Sequence, residues 1–137
     1  MKAVVDPNVF VSSFFGGHPR KIIDLWKNGA ATLCFSKDIL EEYVEVLGRM
    51  GLEKEPELKE LLDLLARAPN VLFTSKAPDH HAVPADPDDD KFIACALALL
   101  AEVVITGDKA IESVGSYGGI RILTPARFLE EWAAKTS

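Results

Sequence analysis

Acidic side chains are the residues of this sequence whose types and spacing could do chemistry. Asp86-Pro87-Asp88-Asp89-Asp90 runs directly into the apolar segment Phe92 to Leu100, and Val103-Val104-Ile105-Thr106-Gly107-Asp108 follows. Asp86-Pro87 reads as a helix start, an Asp N-cap followed by Pro at the first helical position. With the helix set at about 100° per residue, Phe92, Ile93, Ala96, Leu97 and Leu100 define one face. Asp89 falls near the centre of that face, and Asp88 and Asp90 lie about 100° to either side. A carboxylate heading a buried stripe requires a cation or hydrogen-bond donors, so Asp89 calls for a partner that Asp108 can share. Two further acids complete the set. Asp6 closes the apolar run Ala3-Val4-Val5, and Glu42 lies roughly 90° from the apolar face of its helix, whereas Glu41 and Glu45 point away. If Glu42 reaches the same end as the others, four carboxylates converge and repel one another unless divalent cations bind. Oxygen ligands without histidine suit Mg²⁺ or Mn²⁺ rather than zinc. One or two such ions activate water and hold the attacking and leaving oxygens of a phosphodiester, so phosphodiester hydrolysis is the natural chemistry.

Those acids are positioned by alternating strands and helices. Ala3-Val4-Val5 predicts a buried strand ending in a turn or a short helix through Phe15. Gly16-Gly17-His18-Pro19 is read as a break, and Arg20 to Asn28 as a helix with Ile22, Ile23, Leu25 and Trp26 inward. Ala31 to Phe35 predicts the second strand, and Ser36 can cap a helix from Lys37 to about Met50 whose buried face is Ile39, Tyr43, Val46, Leu47 and Met50. Leu52 to Ala66 reads as a charged amphipathic helix, Val71 to Thr74 as the third strand, and Ser75 to Ala85 as loop. Lys109 to about Ser113 predicts a helical turn, Tyr117-Gly118-Gly119 a loop and Ile120 to Leu123 the last strand. Thr124-Pro125 opens a closing helix with Phe128, Leu129 and Trp132 inward. Uniformly apolar strands alternating with helices indicate a three-layer α/β/α sandwich around a central parallel sheet of about five strands, and ligands of such sheets bind beyond the carboxyl ends of the strands.

The size and composition bound the problem. At 137 residues and 48% apolar content the chain is expected to form a single domain over residues 1–137. A net charge of -6 argues against binding nucleic acid by bulk basicity, but not against acids gathered around metal ions. Cys34 and Cys95 lack C-x-x-C spacing and sit in apolar segments, which predicts reduced core residues. Asp6 and Pro7 interrupt the first apolar run too early for a signal peptide, and Phe92 to Ala101 is about half a membrane span. A cytoplasmic protein with no membrane association is expected.

At this point the sequence resembles a known family, the PIN-domain nucleases, and within it the VapC-like toxin components of toxin-antitoxin systems. The resemblance covers nearly the whole chain. It is carried by Val4-Val5-Asp6-Pro7-Asn8-Val9-Phe10-Val11-Ser12, by Ser36 to Tyr43 with Val46-Leu47, by Asp86 to Ile93 with Ala96, and by Val104-Ile105-Thr106-Gly107-Asp108-Lys109. It implies that Asp6, Glu42, Asp89 and Asp108 are the four metal-binding acids, the third lying seven residues before a small helical residue, Ala96. It also implies that Asn8 and Thr106 are polar positions able to orient a ligand or water. The activity implied is a Mg²⁺- or Mn²⁺-dependent ribonuclease acting on RNA, usually a homodimer and often neutralised by a small antitoxin protein. Two positions depart from the family pattern: Pro7 replaces the usual Thr or Ser, and Ala110 stands where a further Asp often follows.

Simpler roles compete at several positions. Asp86, Asp88 and Asp90 can cap the helix and complement its dipole, and Asp88 or Asp90 could also supply an outer ligand. His80-His81 in a Pro-rich loop reads as solvated, His18 as turn chemistry, and Trp26 and Trp132 as core. Arg20, Lys21, Lys91, Lys109 and Arg121 are surface cations by default, though any could meet a phosphate. Aspartyl-phosphate transfer would need a second Asp where Asn8 stands. The remaining alternative keeps the fold as an RNA- or partner-binding regulatory module with a weak or silent site.

Overall fold

The computed structural model describes residues 1–49, 51, 56, 59, 63, 66–67, 70–77 and 89–136. In chain order the elements are β1 (Lys2–Val5), α1 (Pro7–Ser12), a 3₁₀ turn (Ser13–Phe15), α2 (Gly17–Lys27), β2 (Thr32–Ser36), α3 (Lys37–Arg49), β3 (Val71–Thr74), α4 (Asp90–Leu99), β4 (Val103–Ile105), α5 (Lys109–Glu112), β5 (Ser116–Tyr117), β6 (Ile120–Leu123) and α6 (Pro125–Thr136). One sheet runs β3-β2-β1-β4-β6-β5, parallel throughout except for β5 against β6. From β1 the chain builds outward through β2 to β3, then returns to lay β4 on the other side of β1. That reversal opens a crevice at the carboxyl ends of β1 and β4. The register pairs Val5 with Ile105, so the residues that follow the two strands, Asp6 and Thr106, emerge side by side.

The α/β sandwich expected from the alternation of elements is the observed fold, with a mixed sheet of six strands in place of a parallel one of about five. The extra strand is Ser116–Tyr117, in a stretch read partly as loop. Gly118 and Gly119 both take positive φ (57° and 86°), which closes the two-residue turn that returns the chain antiparallel into β6. A second difference is that α2 starts at Gly17, ahead of the expected Arg20. Pro19 therefore lies in the first turn, where a missing N–H leaves no helical bond unmade. Asp86, Pro87 and Asp88, the expected start of α4, and His80-His81 lie outside the described residues, as does most of the 52–66 segment. From that segment Pro56, Lys59, Asp63 and Ala66 are described, and all four are helical and exposed.

Helix α4 is the central packing element. It contacts β1, β2, β3, β4 and β6, and Phe92, Ile93, Ala94, Cys95 and Ala96 are each 1% exposed or less. Burial on nearly every side explains the apolar run from Phe92 to Ala96, whereas Leu100, expected on the inward face, is 76% exposed at the left-handed end of the helix. On α3, Ile39, Tyr43, Val46 and Leu47 of the expected inward face are buried, Met50 lies outside the described residues, and the Ser36 hydroxyl accepts from the Ile39 N–H at 3.2 Å to cap the helix. The Tyr43 hydroxyl crosses to β1 and donates to the Val5 carbonyl at 2.6 Å, one residue before Asp6. Trp26 is buried, as expected of a core residue, and Trp132 is half-buried.

The Tyr43 tie fixes α3 against the end of β1 that carries Asp6. Tyr43→Phe is expected to lower unfolding stability by about 1–2 kcal/mol, because it strips a buried carbonyl of a donor. Urea denaturation with an unchanged m-value would report this. A midpoint equal to the parent's would show that the hydroxyl contributes nothing.

A candidate active site at the carboxyl end of the sheet

The site grows out of two junctions of the same design, each a strand followed by an aspartate that caps a helix. After β1, Asp6 caps α1: its Oδ1 accepts from the Asn8 N–H at 2.8 Å, and Pro7 occupies the first helical position. After β4, Asp108 caps α5: its Oδ1 accepts from the Ala110 N–H at 2.8 Å and the Ile111 N–H at 3.4 Å. The two departures from the family pattern therefore sit where they do little to these caps. Pro7 lacks a donor at a position where none is needed, and Ala110 supplies its backbone N–H.

Thr106 joins the junctions. Its hydroxyl donates to Asp6 Oδ2 at 2.7 Å and accepts from the Asp108 N–H at 3.0 Å. The surrounding backbone holds these groups in place, with Asp6 N–H on the Ile105 carbonyl and Thr106 N–H on the Leu123 carbonyl, both at 3.0 Å. Asp6 is 3% exposed and Thr106 fully buried. Asp6, Asn8 and Asp108 line one side of a cleft of about 330 Å³, with Ser12, Gly107 and Pro125 among its other walls. Asn8 thus contributes a backbone donor to Asp6 and is an exposed residue of the cleft lining.

Burial pushes the Asp6 carboxyl above the usual carboxylate range, and the negative charges of Glu42 and Asp108 push it further. The hydrogen bonds from Thr106 and Asn8 act the other way without cancelling the rise. Glu42 is therefore within electrostatic reach of Asp6 although it does not line the cleft. Its carboxylate forms an ion pair with Lys91, the second residue of α4. At the start of α4, Asp90 is 5% exposed and Asp89 is half-buried with its Oδ2 atom shielded from solvent. Both acids lie in the favourable field of a helix N-terminus.

The structure thus brings Asp6, Thr106, Asp108 and Asn8 together and couples Glu42 to them through charge. Asp89 and Asp90 stand beside the residue that holds Glu42. Among the described residues no three His, Cys, Asp or Glu side chains gather closely enough to hold a metal ion. The donor chemistry nevertheless fits a hard divalent cation, since the groups at the cleft are carboxylate and hydroxyl oxygens. Sequence reasoning left Lys91 among the surface cations and gave Tyr43 only a core role. Neither the Glu42–Lys91 pair nor the Tyr43–Val5 bond follows any local spacing. Arg20 donates to the Ser13 and Phe14 carbonyls, and Arg121 pairs with Glu131 at 2.5 Å beside Met1 and Glu102, at the amino end of the sheet. Burial raises the thiols of Cys34 to about 11 and of Cys95 to about 12, so neither is a thiolate nucleophile at neutral pH.

A raised carboxyl pKa in the folded state has a definite linkage consequence. Between the unfolded pKa, about 3.9, and the raised folded one, the native state binds more protons than the unfolded state, so stability falls as pH rises through that window. Asp6→Asn removes this pH dependence and keeps an acceptor for the Asn8 N–H, but it puts an NH2 donor where Asp6 Oδ2 accepts from the Thr106 hydroxyl. The stability of the metal-free variant relative to the parent is therefore expected to rise as pH rises from 4 to 7, on top of a constant cost for the lost hydrogen bond. Paired chemical denaturation curves across that range check it; a relative stability that stays flat or falls with pH would contradict it.

No curated protein matches the chain. A family model described as PIN domain matches residues 2–110, which include β1 with Asp6, Glu42, the start of α4 and Asp108. PIN domains are a nuclease-type family. With its mostly parallel sheet, its acids at the β1 and β4 ends and this match over most of its length, the chain belongs to the PIN-domain family.

Proposed function

We propose that the chain is a Mg²⁺- or Mn²⁺-dependent endoribonuclease that hydrolyses RNA phosphodiesters and serves as the toxin of a toxin-antitoxin pair. The observation that carries this reading is the pair of aspartates at the carboxyl ends of β1 and β4, bridged by the buried Thr106 hydroxyl at the wall of a cleft. A divalent ion held there supplies an activated water and positive charge against the phosphodiester. Asp6 and Asp108 would hold it, with Glu42 and Asp89 as further ligands and Asp90 as the neighbouring acid that could take the place of Asp89. Asp90 is the more deeply buried of the two, so both are to be tested. Thr106 orients Asp6 by its hydrogen bond, and Asn8 presents an amide to the cleft, where it can meet a phosphate or a water. The partners on this reading are RNA, a small antitoxin protein and a second copy of the chain in a homodimer. The exposed side chains of Phe15 and Val44 offer apolar surface for association.

A weak or silent site on an RNA- or partner-binding module is the second reading, favoured by the commitment of Glu42 to Lys91.

Cleavage of single-stranded RNA with Mg²⁺, with Mn²⁺ and with chelator separates the two. Activity that chelator abolishes and that Asp6→Asn and Asp108→Asn both lose is the expected result. Thr106→Val is expected to cost about 10- to 100-fold in activity or metal affinity, because it acts through Asp6. Of Asp89→Asn and Asp90→Asn, the one with the larger loss marks the acid that serves. Cleavage that persists in chelator and is equal in all variants would sink the site as assigned.

A further inference from the structure

Glu42 is a candidate acid whose carboxylate is paired with a full positive charge. Lys91 reaches from the first turn of α4 to Glu42 Oε2 on α3, and the two side chains are only 25% and 24% exposed. Lys91 Nζ also lies 5.9 Å from the centroid of the Phe92 ring, whose face favours a cation. Partial burial weakens solvent screening, so this contact is held more firmly than an ion pair on an open surface. It is also well placed to be felt. Glu42 acts electrostatically on Asp6, and Lys91 neutralises the acid that does so. Oxygen Oε2 of Glu42 is committed to an ammonium.

We propose that the Lys91 ammonium takes the place of a second divalent cation at Glu42, so that the acid site takes up a single divalent ion and Lys91 sets how tightly it does so. This rests on the metal-dependent reading of the cleft and adds to it a stoichiometry and the residue that controls it. Lys91 is a positioning residue on this view: it acts through Glu42, holding the carboxylate and offsetting its charge. A chain without that charge presents one more uncompensated carboxylate to the incoming ion. An arginine at the same place preserves the charge and therefore the stoichiometry.

Titration of Mn²⁺ into the metal-free full chain at low ionic strength, followed by calorimetry, tests this with the parent, Lys91→Met, Lys91→Gln, Lys91→Arg and the double variant Glu42→Gln/Lys91→Met. The parent and Lys91→Arg are expected to bind one ion. Lys91→Met and Lys91→Gln are expected to bind a second ion, or the first about tenfold or more tightly, as the loss of a nearby unit positive charge requires. In the double variant the gain should vanish. Circular dichroism of each variant secures the fold, and Lys91→Gln serves if Lys91→Met fails to fold. A parent that binds two ions, or neutral variants with the parent's stoichiometry and affinity, overturns the inference while leaving the metal reading intact. No binding by the parent or by either neutral variant overturns both.

Discussion

The hydrogen bond from the Thr106 hydroxyl to Asp6 Oδ2 is the contact on which the site depends. It exists because β4 is laid parallel beside β1 in a register that pairs Val5 with Ile105, so that both strands end at the same level and Asp6 emerges beside Thr106. One buried hydroxyl then serves two aspartates at once, donating to one and accepting from the backbone of the other. Each aspartate spends part of its hydrogen-bonding capacity on a helix cap, which fixes its orientation. Since a carboxylate offers about four lone-pair sites, acceptor capacity remains for a ligand.

The electrostatics of this arrangement are costly. A buried carboxyl with two more acids in its field is not what a fold would choose for stability, and burial together with those charges pushes the Asp6 carboxyl above its usual range. Elements that do nothing chemical support it. The Tyr43 hydroxyl anchors α3 to the end of β1, and α4 fills the space across β1, β2, β3, β4 and β6. Lys91 relieves part of the repulsion from within the chain by holding Glu42.

Much of the fold was legible in the sequence because its signals are local. Uniformly apolar strands, the Ser36 and Thr124 helix starts and Asp6 at a strand end all follow from short-range pattern, and each appears where it was expected. Asp108 was legible for the same reason. The start of α4 was less so. The face drawn from Phe92, Ile93, Ala96, Leu97 and Leu100 placed Asp89 inward, yet α4 is buried around nearly its whole circumference at Phe92 to Ala96. Periodicity cannot choose a single inward residue on such a helix, and Asp90 is the acid the structure buries more deeply. The Glu42–Lys91 pair and the Tyr43–Val5 bond were invisible because they join residues far apart in sequence, and β5 because two residues carry no period.

The central claim is that the ends of β1 and β4 form a cation-dependent hydrolytic centre. Anomalous scattering from crystals grown with Mn²⁺ tests it most directly. A peak in the cleft within bonding distance of carboxylate oxygens of both Asp6 and Asp108 is the expected result. Mn²⁺ bound only elsewhere, as beside Glu131 and Glu102 at the amino end of the sheet, would contradict it.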